Sequence, residues 1–217
     1  MHKKILAAVV ALVAFAAVPA IATASPILTE NGTVVSGKIL ATQSGSIVLT
    51  TSFGNVTCTK STLTGTVLKN GPAGTGTHIE GTLEKATFTN ETGGACSSTF
   101  PFNPSFTVDP ENLHWCITGG GTLAADTFSI RGGGCTEAAK NLKFTLTSAL
   151  GNCTYERATV TGSFVTNVTP VTLKVGASQT FTRTAGSESL CPATGTLDGG
   201  WNLYTDNLPT ETPLTIS

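Results

Sequence analysis

The chain has 217 residues, of which 12 are Lys or Arg and 13 are Asp or Glu, so its formal net charge is −1 and only 12% of it is charged. So weak and balanced a charge offers no electrostatic footprint for nucleic acid or for an anionic membrane surface. Abundant Thr, stiff at χ1 and suited to a pleated surface, argues for strands over helices.

The first segment has the layout of a secretory signal peptide. Met1-His2-Lys3-Lys4 is a short basic stretch, Ile5 to Val18 is wholly apolar, Pro19 breaks the run, and Ala22-Thr23-Ala24 supplies small residues for cleavage after Ala24. The apolar run of 14 residues is shorter than the roughly 20 that span a bilayer. No second apolar span follows, so residues 1–24 are expected to be removed and the remainder to be secreted, extracellular and without a membrane span. Loss of Lys3 and Lys4 leaves 10 basic against 13 acidic residues.

Strand signals then recur at short spacing. They cover Thr33 to Leu40, Ser46 to Phe53, Val56 to Lys60, Thr62 to Lys69, Thr77 to Leu83 and Lys85 to Asn90. They resume over Leu113 to Thr118, Thr122 to Ile130, Leu142 to Ser148, Thr154 to Phe164, Val171 to Val175, Ser178 to Thr184 and Gly200 to Tyr204. In Leu142-Lys143-Phe144-Thr145-Leu146 the apolar residues fall on one face. Ser46-Ile47-Val48-Leu49-Thr50 is instead a continuous apolar run, as expected of a strand buried on both faces. Gly54-Asn55, Asn70-Gly71-Pro72 and Gly151-Asn152 are turn signals. One short helix is expected over Thr136 to Leu142, capped by Thr136. Short strands without intervening helices predict an all-β fold, an antiparallel sandwich or barrel.

The chain also resembles itself. Leu49 to Leu68 aligns without gaps on Leu146 to Val165 with eight of 20 positions identical, where chance in a Thr-rich chain gives about two. Thr87-Phe88-Thr89 then pairs with Thr180-Phe181-Thr182, and Cys96 with Cys191. A tandem duplication is expected, with a first β-unit over 25–121 and a second over 122–217, either as two lobes or as one continuous domain. The six Cys are expected to form disulfides, because no C-x-x-C zinc pair is present. Six Cys allow 15 connectivities. The repeat favours the sequential pattern Cys58–Cys96, Cys116–Cys135 and Cys153–Cys191.

Candidate chemistry is sparse. His78 and His114 are the only His beyond residue 24, and a Ser-His-Asp arrangement would have to use His114 with Asp109 or Asp126, yet no G-x-S-x-G elbow nominates a Ser. Glu80, Glu84, Asp126, Glu137, Asp198 and Asp206 are scattered over different strands and turns, so no glycosidase pair stands out. Calcium loops need clustered acids, which are absent. Gly119-Gly120-Gly121 and Gly132-Gly133-Gly134 lack the Lys and the helix of a phosphate loop. No catalytic residue, metal ligand or cofactor site is therefore assigned. Trp115 and Trp201, with Tyr155 and Tyr204, form a candidate ligand platform for stacking sugars; the alternative is that the two Trp anchor the core.

Gly54-Asn55-Val56-Thr57-Cys58, the Gly-rich run ending in Gly134-Cys135, and Cys191-Pro192-Ala193-Thr194-Gly195-Thr196-Leu197-Asp198-Gly199 resemble a group of secreted, mostly uncharacterised bacterial β-proteins. More loosely, they are similar to the PraB-like protein activator of alkane oxidation family. That resemblance implies a place at the cell surface, in adhesion, biofilm and hydrocarbon use, and supplies no site residues. The sequence is thus expected to encode a secreted or cell-surface-associated, non-enzymatic structural or adhesive protein with cell-surface or matrix components as partners. An extracellular carbohydrate- or small-ligand-binding module is the alternative, and a secreted hydrolase a third.

Overall fold

A computed structural model describes residues 27–71, 79–120, 126–176, 179–206 and 211–216. Residues 1–24, read above as a signal peptide, lie outside these, as do His78 and the starts of the strands predicted at Thr77, Thr122 and Ser178. The described residues form nineteen strands: β1 Leu28–Glu30, β2 Thr33–Val34, β3 Gly37–Gln43, β4 Ile47–Thr51, β5 Gly54–Cys58, β6 Lys60–Asn70, β7 Ile79–Thr89, β8 Ser97–Ser98, β9 Thr107–Glu111 and β10 Trp115–Gly120, followed by β11 Thr127–Arg131, β12 Leu142–Ser148, β13 Gly151–Arg157, β14 Val160–Val165, β15 Thr172–Val175, β16 Gln179–Arg183, β17 Thr194–Asp198, β18 Gly200–Thr205 and β19 Thr215–Ile216.

Eight of these strands close an antiparallel barrel in the order β3-β6-β7-β10-β11-β14-β15-β18. A second sheet of eight follows the order β4-β5-β8 and, on the other side of a seam, β9-β12-β13-β16-β17, with β17 pairing back onto β4. The two orders correspond strand for strand. Thr59 alone separates β5 from β6, and Gly199 alone separates β17 from β18. The second sheet is therefore an upper tier in which each barrel strand continues after a break. Both tiers also repeat one winding: the first half of the chain supplies four adjacent barrel strands, β3 to β10, and the second half the other four, β11 to β18.

The barrel is narrow, and an interior of this strand number is just wide enough for side chains to fill. Inward positions alternate large and small. Phe128 and Phe164 meet edge to face at 5.6 Å, and Gly162 makes room for them, since a Cβ there would lie 2.5 Å from the Phe128 ring. Outward positions carry Thr pairs, Thr62 with Thr87 at 2.6 Å on the barrel and Thr145 with Thr154 at 2.7 Å on the upper tier. An apolar interior and a hydroxyl-covered exterior reverse the polarity of an outer-membrane-type barrel, whose outward band is apolar.

A small sheet, β19-β1-β2, closes the far end of the barrel. Leu28, Val35, Val171 and Leu214 are buried there, and the Asn70 side chain holds the segment like an extra strand. Its Oδ1 accepts from Leu28 N–H at 2.9 Å, and its Nδ2 donates to Leu28 O at 2.7 Å and to Val35 O at 2.8 Å.

Three disulfides staple the tiers, Cys58–Cys96, Cys116–Cys135 and Cys153–Cys191, in the sequential order. Two expectations are corrected. The helix expected over 136–142 is absent: residues 136–141 form a turn and loop and Leu142 opens β12, because Arg131 turns the carbonyls of Gly132, Gly133, Gly134, Cys135 and Glu137 toward its own guanidinium, which removes them from any helical ladder. The run at Ser46 to Thr50 is buried on one face only: Ile47 and Leu49 point inward, Val48 is half-buried and Thr50 is exposed.

Candidate functional site

Among the described residues, those singled out for chemistry do not converge. His114 is exposed at the entry to β10 and faces Glu84, whose carboxyl it helps to hold below the usual range; hydrogen bonds from Thr66 and then Lys38 do most of that lowering. Asp109 is exposed on β9, while Asp126 is buried at the start of β11. Glu80 and Glu84 lie on β7, Glu137 in the turn after β11, Asp198 at the end of β17 and Asp206 after β18. Among the described residues no three His, Cys, Asp or Glu are grouped to hold a metal ion.

Trp115 and Trp201 are each only 4% exposed, so neither offers a ring face to a sugar at the surface. Trp115 opens β10 and Trp201 is the second residue of β18, strands on opposite sides of the barrel, and both line an apolar cavity of about 70 Å³ at the junction of the tiers. Trp115 Nε1 donates to Glu111 O at 2.8 Å, and Trp201 Nε1 donates to the buried Ser61 Oγ at 2.9 Å. Each ring thus satisfies its polar edge inside the protein. Tyr155 is also internal: its hydroxyl donates to Pro192 O at 3.0 Å, and burial pushes its phenol up to about 12.

What the surface does offer is a ring of apolar side chains around the mouth of the upper tier. Phe53 is 51% exposed, Phe102 94%, Leu150 42% and Leu190 65%. Each sits on a different loop. Phe53 and Leu150 occupy the tips of the β4–β5 and β12–β13 hairpins, positions that the internal repeat aligns. Both tips end in a glycine at positive φ, Gly54 at 136° and Gly151 at 114°. A Cβ at Gly54 would lie 2.8 Å from Thr99 Oγ1, and one at Gly151 2.4 Å from Glu188 Cγ, so glycine lets the neighbouring loops close in around each tip.

Phe102 is placed by a turn. Pro101 follows Phe100, Phe102 has φ of 70°, and Asn103 N–H donates to Phe100 O at 2.8 Å. This is the arrangement of a type II turn, whose third position calls for Gly or Asn. A bulky side chain there costs about 1–2 kcal/mol, yet the ring is directed into water. Beneath it, buried Phe100 and Phe106 stack edge to face at 5.2 Å. These rings, with Phe53, Leu150 and Leu190, line a groove of about 180 Å³ that the Cys153–Cys191 disulfide also borders. Among the described residues no charged side chain lines it.

Sequence reasoning missed the mouth because its members are single apolar residues within turns. The available signal was their position: Ser52-Phe53-Gly54, Ala149-Leu150-Gly151 and Pro101-Phe102-Asn103 place a large apolar residue where turn chemistry calls for a small polar one. No family model, curated protein or solved structure matches the chain.

Proposed function

We propose that this is a non-enzymatic protein of the cell exterior, secreted or surface-associated, with a structural or adhesive role, and that the mouth of its upper tier is the contact end. Three disulfides support an oxidising compartment. The observation that carries the reading is the set of four exposed apolar side chains on four loops at one end, two of those loops tied down by disulfides to the adjoining strands. Large apolar groups gathered on a surface mark contact sites. Their combined exposure equals about 2.5 whole side chains, so covering them would yield roughly 4–7 kcal/mol. The carbohydrate-binding alternative relied on Trp115 and Trp201, and their burial gives it no support. For a hydrolase, the exposed His114 and the dispersed carboxylates among the described residues give none.

Adsorption of the oxidised protein to methyl-terminated and hydroxyl-terminated layers on a quartz crystal microbalance tests the proposal. Strong uptake on methyl layers is expected, reduced at least tenfold in the double variant Phe53→Ser, Phe102→Ser. Equal uptake on both layers, or an unchanged double variant, would refute it.

A further inference from the structure

Within this reading of the mouth as the contact end, we propose that its groove is a binding site for one free, neutral, single-ring aromatic molecule. Size is the first argument. The groove measures about 180 Å³, close to the ~150 Å³ of an apolar cavity that holds benzene. Chemistry is the second. The lining is apolar, and its one hydroxyl, Ser148 Oγ, already accepts from Leu150 N–H at 3.1 Å. A charged ligand would find no side chain of opposite charge in the lining and would lose its hydration. Four of the lining side chains are the aromatic rings of Phe53, Phe100, Phe102 and Phe106, and edge-to-face contacts favour an aromatic guest over an alkyl group of equal area.

Larger occupants fit less well. The four exposed side chains amount to roughly 500 Å² of surface at ~200 Å² per residue, below the ~800 Å² per partner of a stable protein interface. A second copy seated on this patch would therefore be held weakly. Phe102 supplies a further indication. It combines an unfavourable backbone conformation with almost complete exposure, and such strain gathers at ligand clamps.

The test is a fluorine NMR titration of the oxidised protein with 4-fluorotoluene, and with 4-fluorobenzoate as the charged control. Saturable binding of 4-fluorotoluene is expected, at least tenfold tighter than that of the benzoate. Phe102→Ala, which removes a wall, and Leu190→Trp, which fills the groove, should each weaken it at least tenfold; both positions are exposed, so folding is retained. No saturable binding, equal affinity for the benzoate, or affinity indifferent to both variants would overturn the proposal, the last placing the ring outside the groove. Methyl-layer adsorption without ring binding defeats the groove alone. Ring binding without adsorption defeats the adhesive role and leaves the groove standing.

Discussion

Replacing Phe102 by glycine should make the protein more stable while removing part of the proposed contact end. The ring is 94% exposed, so its loss forfeits almost no burial, and no cavity opens. The backbone at φ of 70° costs a non-glycine residue about 1–2 kcal/mol. Glycine relieves that cost but adds about 0.5–1 kcal/mol of chain entropy in the unfolded state. The net expectation is a gain of roughly 0.5–1 kcal/mol, equivalent to about 1–4 °C in melting temperature for a domain of this size. Urea unfolding of the oxidised protein, with the slope unchanged and the midpoint raised, would register it. Adsorption to methyl layers should fall in the same variant. A Phe102→Gly protein that is less stable than the parent by more than ~0.5 kcal/mol would refute the reasoning, because the ring would then be supporting the loop rather than facing a partner.

Asn70→Ala removes three hydrogen bonds from the backbone of Leu28 and Val35 and should destabilise the closing sheet by roughly 2–3 kcal/mol, seen as faster amide exchange at Leu28 confined to that end. Arg131→Ala releases the five carbonyls gathered by its guanidinium; exchange should rise over 132–140, with an overall cost of about 1–3 kcal/mol. The folded protein holds the Tyr155 proton more tightly than the unfolded chain, whose phenols titrate near 10. Its contribution is whole below pH 10 and is lost as the pH climbs toward about 12, on the order of 2–3 kcal/mol. Tyr155→Phe should flatten that alkaline loss, measured as urea midpoints at pH 9 and pH 11.5. Glu84 and Glu111 are both held below the usual carboxylate range, Glu84 by Thr66 then Lys38 and Glu111 by Lys143 then Thr145. Stability should therefore fall as the pH drops through their lowered values, by less than ~1 kcal/mol each because both are solvent-screened.

Strands with a period-two apolar face were legible from sequence. Leu142, Phe144 and Leu146 point inward from β12 while Lys143 and Thr145 point out, as the alternation requires. The strands that escaped notice lack such a face. β9, Thr-Val-Asp-Pro-Glu, and β17, Thr-Gly-Thr-Leu-Asp, are held by ladders to β12, β16 and β4, so partners rather than their own side chains decide their state. The predicted strand from Thr154 to Phe164 is broken at Ala158-Thr159, where the chain passes between tiers; continuous β-propensity carries no mark of such a crossing. The segment 136–142 reads as a helix locally because nothing in Glu137-Ala138-Ala139-Lys140 reveals that Arg131 will claim carbonyls of this segment and the residues before it. The mouth was not legible because its four loops are far apart in sequence and meet only when the barrel closes.

The seam in the upper tier explains why contact should run through side chains rather than through added strands. In the second half of the chain β16 and β17 form a full ladder. Their counterparts β8 and β9 form no ladder: the one bridge near them, Cys96 with Phe106, lies just outside both strands, and β9 is paired along one edge only, with β12. Phe106 exchanges both its backbone hydrogen bonds with Cys96, at 2.8 and 2.9 Å. By alternation Val108 and Pro110 direct their backbone to the same side. Pro110 has no N–H to offer there, β8 is two residues long, and β9 carries Asp109 and Glu111, the latter paired with Lys143 at 2.8 Å. Short length, proline and charge are the means by which sheet edges avoid pairing with another chain. The upper tier thus protects its open edges, while Phe53, Phe102, Leu150 and Leu190 stay uncovered at the mouth, an asymmetry that the proposed contact through loop tips requires.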